Sequence, residues 1–189
     1  MNVKEVAREI DPVLVMKVLA KNEISGNENV ICRFSYAGGK SGYSFGRSQF
    51  DVTHNLAARK FLKEKCNFAT DEIARLLNLD KDITDLNNKL SKFRKEIDEL
   101  DLSHVKEMIK YVGSLEQMPL VDTEKTFIQL VDYHNQFNLS RNGKLHNWLK
   151  ERKIITSKSI LDFKLKETKW GRENKADVMR RYKNSKNYY

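Results

Sequence analysis

The chain has 189 residues, 40% of them hydrophobic and 10% aromatic, which is enough for a packed core without disulfide or metal staples. Its 8 glycines and 2 prolines argue against collagen-like, low-complexity and turn-dense all-β classes. Lys+Arg 35 against Asp+Glu 26 gives a formal charge of +9, predicting a folded basic surface suited to phosphate or carboxylate polymers.

From the N-terminus, Val3, Val6, Ala7, Ile10, Leu14, Val18 and Leu19 recur at helical spacing and predict a helix over 3–21. Pro12 interrupts it, and Asp11 is placed to cap the second piece. The apolar stretch within it is broken by Lys17 and preceded by Glu5, Arg8, Glu9 and Asp11, with no small-residue cleavage site after it. It reads as a buried amphipathic helix, and no run reaches the ~20 apolar residues that span a bilayer. Neither export by the usual secretory route nor a stable membrane anchor is expected. Cys32 and Cys66 make no disulfide framework, so a reducing compartment is expected.

Residues 23–51 change character. They hold Gly26, Gly38, Gly39, Gly42 and Gly46 among Phe34, Tyr36, Tyr43, Phe45 and Phe50, a mixture that predicts sharp backbone turns and a small β-hairpin near 30–50. Helical patterns then cover 52–66, 70–77, 83–99, 103–111, 122–138, 143–152, 157–167 and 174–183, with Asp71, Asp82, Asp122 and Ser157 as caps or first-turn groups. No internal repeat is visible. The pattern predicts a mostly α (α+β) protein with one glycine-rich aromatic insertion, organised as one domain over 1–189: a lobe containing 23–51 and a helical remainder, 52–189.

Irregular loops on helical scaffolds are common places for function. The segment AGGKSGYSFG lacks both GxxxxGK[ST] and GxGxxG, so a nucleotide cradle is not supported. His54, His104, His134 and His146 are scattered without HExxH or CxxC, and neither metal nor cofactor is expected. Cys66, beside Phe61, Leu62 and Phe68, reads as a buried structural thiol, which leaves Cys32 as the better nucleophile candidate. Glu23 follows the apolar helix directly and precedes the aromatic loop. A carboxyl walled by aromatics keeps its proton more readily than a solvated one, which suits a general acid.

Glu23-Ile24-Ser25, followed after the loop by Gly42-Tyr43-Ser44-Phe45-Gly46-Arg47-Ser48-Gln49-Phe50, resembles the lysozyme superfamily, in particular phage endolysins and soluble lytic transglycosylases. These carry a glutamate in an E-S context and a glycine–glutamine segment about twenty residues on. Gly46 and Gln49 match that segment, and the pair between them differs. Val131–Phe137, Lys169-Trp170-Gly171-Arg172 and Asp177–Tyr182 also resemble phage endolysins, whereas 60–121 carries no resemblance.

The resemblance implies a lysozyme-like, two-lobed fold and cleavage of the β-1,4 bond between N-acetylmuramic acid and N-acetylglucosamine. Glu23 would protonate the glycosidic oxygen and then act as a base. Glycosidases normally pair two carboxyls, and the second group here is Asp51, Glu28, Cys32 or none. Phage muramidases space a glutamate, then Asp or Cys nine positions on, then Thr six further; Cys32 fits the first step and Gly38 departs from the second. Lytic transglycosylases need no second carboxylate, because the muramyl 6-hydroxyl attacks intramolecularly. Alternatively, Asp51 or Thr53 positions a water. Gln49, with Ser48 beside it, is expected to bond an acetamido group, and Tyr43 and Phe45 to stack on sugar rings with one of them in the core. Tyr133, His134 and Asn135 are expected to face the cleft from the opposite lobe, with one or two of them buried. The Lys and Arg residues at 180–186 read as a solvated face. The implied partner is the peptidoglycan glycan strand, met by a monomer held in the host cytoplasm and acting on the wall in the periplasm.

Two rival readings are a basic helical nucleic-acid-binding protein, with 172–186 as its recognition segment, and a catalytically inert glycan binder. The first leaves the five-glycine aromatic loop unexplained.

Overall fold

A computed structural model describes residues 1–187, and the chain is 64% helix and 6% strand. The mostly helical expectation with a small antiparallel sheet holds. The chain divides into two compact units, Met1–Asn22 with the residues from His104 onward, and Glu23–Ser103. The dividing points fall inside two helices, so each unit is described separately.

Helix α1 (Val3–Glu9) and helix α2 (Pro12–Ile24) replace the single interrupted helix of the pattern. Pro12 takes the first helical position, where its missing N–H costs nothing, and the Asp11 carboxylate accepts from the Val13 N–H at 2.8 Å. Helix α2 ends where Ser25 (φ 52) and Gly26 (φ 71) turn left-handed in succession, a conformation glycine adopts without a Cβ penalty.

The second unit begins with a three-stranded antiparallel sheet of β1 (Ser35–Tyr36), β2 (Tyr43–Phe45) and β3 (Phe50–Asp51) in that order. Tyr36 lies opposite Tyr43, and Phe45 opposite Phe50. Helices α3 (Leu56–Glu64), α4 (Thr70–Leu77) and α5 (Thr84–Leu90), a 3-10 turn at Ser91–Phe93, and the first half of α6 (Arg94–Ser114) complete it.

Its core is a phenylalanine cluster. Phe45 stacks on Phe61 at 5.8 Å and meets Phe34 edge-on at 5.9 Å, and Phe34 meets Phe68 at 5.9 Å. Burying each such ring contributes about 2–3 kcal/mol. Phe61 and Phe68 come from α3 and the segment before α4, and the unit continues to Ser103. The opening helices, up to Asn22, belong with the C-terminal half of the chain.

The pattern split α6 between two helices, at 83–99 and 103–111, whereas it is continuous through 94–114. Ile97, Asp101, Val105, Met108 and Val112 keep one buried stripe with no glycine or proline to break it, and the acid at 101 disguises that stripe.

In the first unit, α7 (Glu124–Phe137), α8 (Lys144–Lys150), α9 (Ser157–Glu167), α10 (Lys169–Glu173) and α11 (Lys175–Lys186) follow, with α11 packed on α7 and α9. A short parallel pair, β4 (Leu120–Val121) with β5 (Ile154–Ile155), and helix α10 have no counterpart in the sequence pattern. At two residues the strands are too short for alternation to show. Val3, Val6, Leu19, Val105, Phe127 and Ile160 are among the core residues of this unit.

Candidate active site

The glycine-rich segment is held by two carboxylates. Asp51, at the end of β3, accepts from the Gly42 N–H at 3.0 Å, the Thr53 N–H at 2.8 Å, the His54 N–H at 3.0 Å and the His54 ring at 3.1 Å. Burial alone would raise its pKa, but the N–H bonds from Gly42, Thr53 and His54 outweigh burial and hold the carboxyl below the usual carboxylate range. Glycine is required at 42 by close approach: a Cβ there would lie 2.1 Å from Thr53 Oγ1 and 2.8 Å from Asp51 Oδ1.

Asp101, on α6, holds the next turn. It accepts from the Arg47 N–H at 2.8 Å and the Ser48 N–H at 3.0 Å, with the Arg47 guanidinium 3.6 Å away. Its side chain has no exposed surface, and burial pushes its pKa up despite these bonds. Arg47 also pairs with Asp98 at 2.5 Å, and Asp98 with Arg94 at 3.0 Å.

That turn sets Gln49 in the left-handed region, at φ 51. The Gln49 amide is engaged at both ends: Nε2 donates to the Gly46 carbonyl at 2.9 Å, and Oε1 accepts from the Ser35 hydroxyl at 2.9 Å. Its visible work is therefore to tie β1 to the turn. Tyr43 is half-buried and donates its hydroxyl to the Asp80 carbonyl at 2.7 Å. Phe45 is fully buried in the phenylalanine cluster, so of Tyr43 and Phe45 it is the core residue. The exposed ring beside Tyr43 is Tyr36, at 6.0 Å and 47% exposed. Ser48 and Thr53 are half-buried, each with its N–H committed to an aspartate.

Glu23 is half-buried in the last turn of α2, one residue before Ile24 and directly ahead of the left-handed Ser25–Gly26 pair. It falls in the same compact unit as the sheet, so the structure gathers Glu23, Tyr43, Ser48, Gln49, Asp51 and Thr53 into one unit. Among the other candidates for a second group, the Glu28 side chain is 71% exposed and pairs with Arg94 at 3.4 Å. Cys32 is half-buried, and burial raises its thiol pKa against the opposing charge of Arg94. Cys66 is buried and pushed up to about 12, as a structural thiol should be, and both cysteines are free.

Tyr133, His134 and Asn135 lie on α7, in the first unit. Tyr133 is 9% exposed and packs on Phe137 and Phe163, so of the three it is the core residue. His134 stacks on Tyr111 at 4.4 Å with a buried Nδ1 that has no hydrogen-bond partner among the described residues; burial, then the charge of His104, lowers its pKa. Asn135 Oδ1 lies 3.4 Å from His104 Nε2.

No family model, no curated protein and no solved structure matches the chain. Among the described residues there is no cluster of three or more metal-ligating side chains, and no helix is long and apolar enough to cross a membrane.

Asp101 and Arg47 were not found from the sequence. The available signal was an acid at an apolar-stripe position of α6, four residues from Ile97 and four from Val105.

Proposed function

We propose that this chain cleaves peptidoglycan glycan strands at the β-1,4 bond between N-acetylmuramic acid and N-acetylglucosamine, with Glu23 as the proton donor and then the base. The observation that carries the reading is the position of Glu23: the last turn of α2, ahead of a left-handed turn, in one compact unit with an aromatic sheet whose loops carry Gln49 and Asp51.

Asp51 is the ionised partner on this reading. A carboxylate offers about four lone-pair sites, and four N–H contacts already engage them. That argues for loop support and fixed negative charge rather than nucleophilic attack. Proton chemistry then rests on Glu23, and the glycosyl centre is completed by the muramyl 6-hydroxyl or by a water beside Thr53. The exposed Tyr36, next to Tyr43, is the aromatic face available to a sugar ring. The substrate partner is the glycan strand, engaged by a monomer that waits in a host cytoplasm and reaches the wall from the periplasm.

The test is turbidity loss of permeabilised Gram-negative cells with wild type against Glu23→Gln. The amide keeps the shape and removes the proton, so clearance should fall at least about a hundredfold. Equal clearance by both proteins overturns the reading. Mass analysis of the released muropeptides then separates hydrolysis from the anhydro product, which is lighter by one water.

A further inference from the structure

The C-terminal helix meets the end of α2 in an unusual way. The last carbonyls of a helix have no intrahelical N–H partner and must be met from elsewhere. For α2 the partner of two of them is Arg180 on α11: one guanidinium nitrogen donates to the Asn22 carbonyl at 3.0 Å and another to the Lys21 carbonyl at 3.5 Å. The guanidinium also places positive charge at the negative end of the helix dipole. Asp177 orients it, through contacts of 3.1 and 2.5 Å.

The side chain of Asn22 is gripped as well. It is 2% exposed, donates to Asp132 at 2.9 Å and accepts from Asn184 at 2.8 Å. Asp132 is buried and held in turn by Arg181 at 3.1 Å and Lys164 at 3.4 Å. Asn22 is thus fixed through its carbonyl and both ends of its amide, and Glu23 is the next residue in the same helix.

We infer that Arg180 and Asn184, with Asp132, are positioning residues for Glu23: they lock the last turn of α2 so that the Glu23 backbone has one direction. This rests on the reading of Glu23 as the acid. Burying the charged side chains of Asp132, Arg181 and Lys164 beside one asparagine is costly unless the position of that turn matters. A misplacement of about 1 Å at a reacting group costs on the order of a hundredfold in rate.

The experiment measures kcat and KM for dye release from isolated peptidoglycan sacculi, with the unfolding temperature of each variant. Arg180→Gln, too short to reach both carbonyls, should lower kcat about tenfold to a hundredfold and leave KM within about twofold. Arg180→Lys, which reaches one carbonyl, should recover part of the loss. Should Arg180→Gln fail to fold, Asp177→Ala frees the guanidinium without removing it and should lower kcat in the same direction. Glu23→Gln combined with Arg180→Gln should be no worse than Glu23→Gln alone, because the two act through one group. Unchanged kcat per folded molecule with a lowered unfolding temperature makes the network structural and overturns the inference, while a dead Glu23→Gln leaves the reading of the acid standing. A fully active Glu23→Gln overturns that reading first.

Discussion

Asp51 and Asp101 both hold N–H groups of the glycine-rich segment, yet burial tips them in opposite directions. The Asp51 side chain keeps 24% of its surface, so N–H bonding wins and its pKa falls; Asp101 keeps none, so desolvation wins and its pKa rises. For Asp51 the folded pKa lies below the unfolded one. Its stabilisation is therefore complete above the unfolded value and is lost as pH falls through the folded value. Asp51→Asn should cost about 2 kcal/mol at neutral pH, and the gap to wild type should close in acid. Urea unfolding of both proteins between about pH 3 and 7 checks this. A gap that widens in acid would assign the effect to another group.

At the scale of elements, the sheet's loops are shaped from a distance by α6. Asp101 reaches Arg47 and Ser48 across 54 and 53 residues of sequence and sets the turn that carries Gln49. An asparagine at 101 would turn an N–H₂ group toward one of two N–H donors, so Asp101→Asn should cost about 2–3 kcal/mol. Its pH dependence has the opposite sign to that of Asp51. Wild-type stability from a raised carboxyl is present below the unfolded pKa and is lost as pH rises through the folded one. The difference between wild type and Asp101→Asn should therefore be largest in acid and shrink toward neutral pH, read by the same unfolding series.

The same scale corrects the reading of the C-terminal basic run. Arg181 is 6% exposed and paired with Asp132 and Asp177. Arg180 caps α2, so part of the stretch expected to be a solvated face is internal wiring.

For the whole molecule, the formal charge of +9 is a matter of encounter rather than of fold, and on the proposed function the encounter is with an anionic wall. Raising the salt from about 0.01 to 0.15 M shortens the screening length from roughly 30 to about 8 Å. Wall clearance should slow several-fold over that range, measured as initial turbidity rates. A rate indifferent to salt would remove steering from the account. What could be read from residues alone was local: the helices with their caps, the Pro12 restart, and the glycine–aromatic segment. Each depends on neighbours within a turn of helix or a few residues of strand. What only the tertiary structure decided was which polar groups are buried and whom they meet. Tyr43 and Phe45 stand two residues apart, and only the packing of Phe61 and Phe34 puts one in the core and leaves the other half-exposed. Asn22 finds Asp132 across 110 residues, a partner that no periodicity encodes. The physical reason is that a buried polar group needs a complement in space, and the complement is supplied by whichever distant segment the apolar stripes bring alongside.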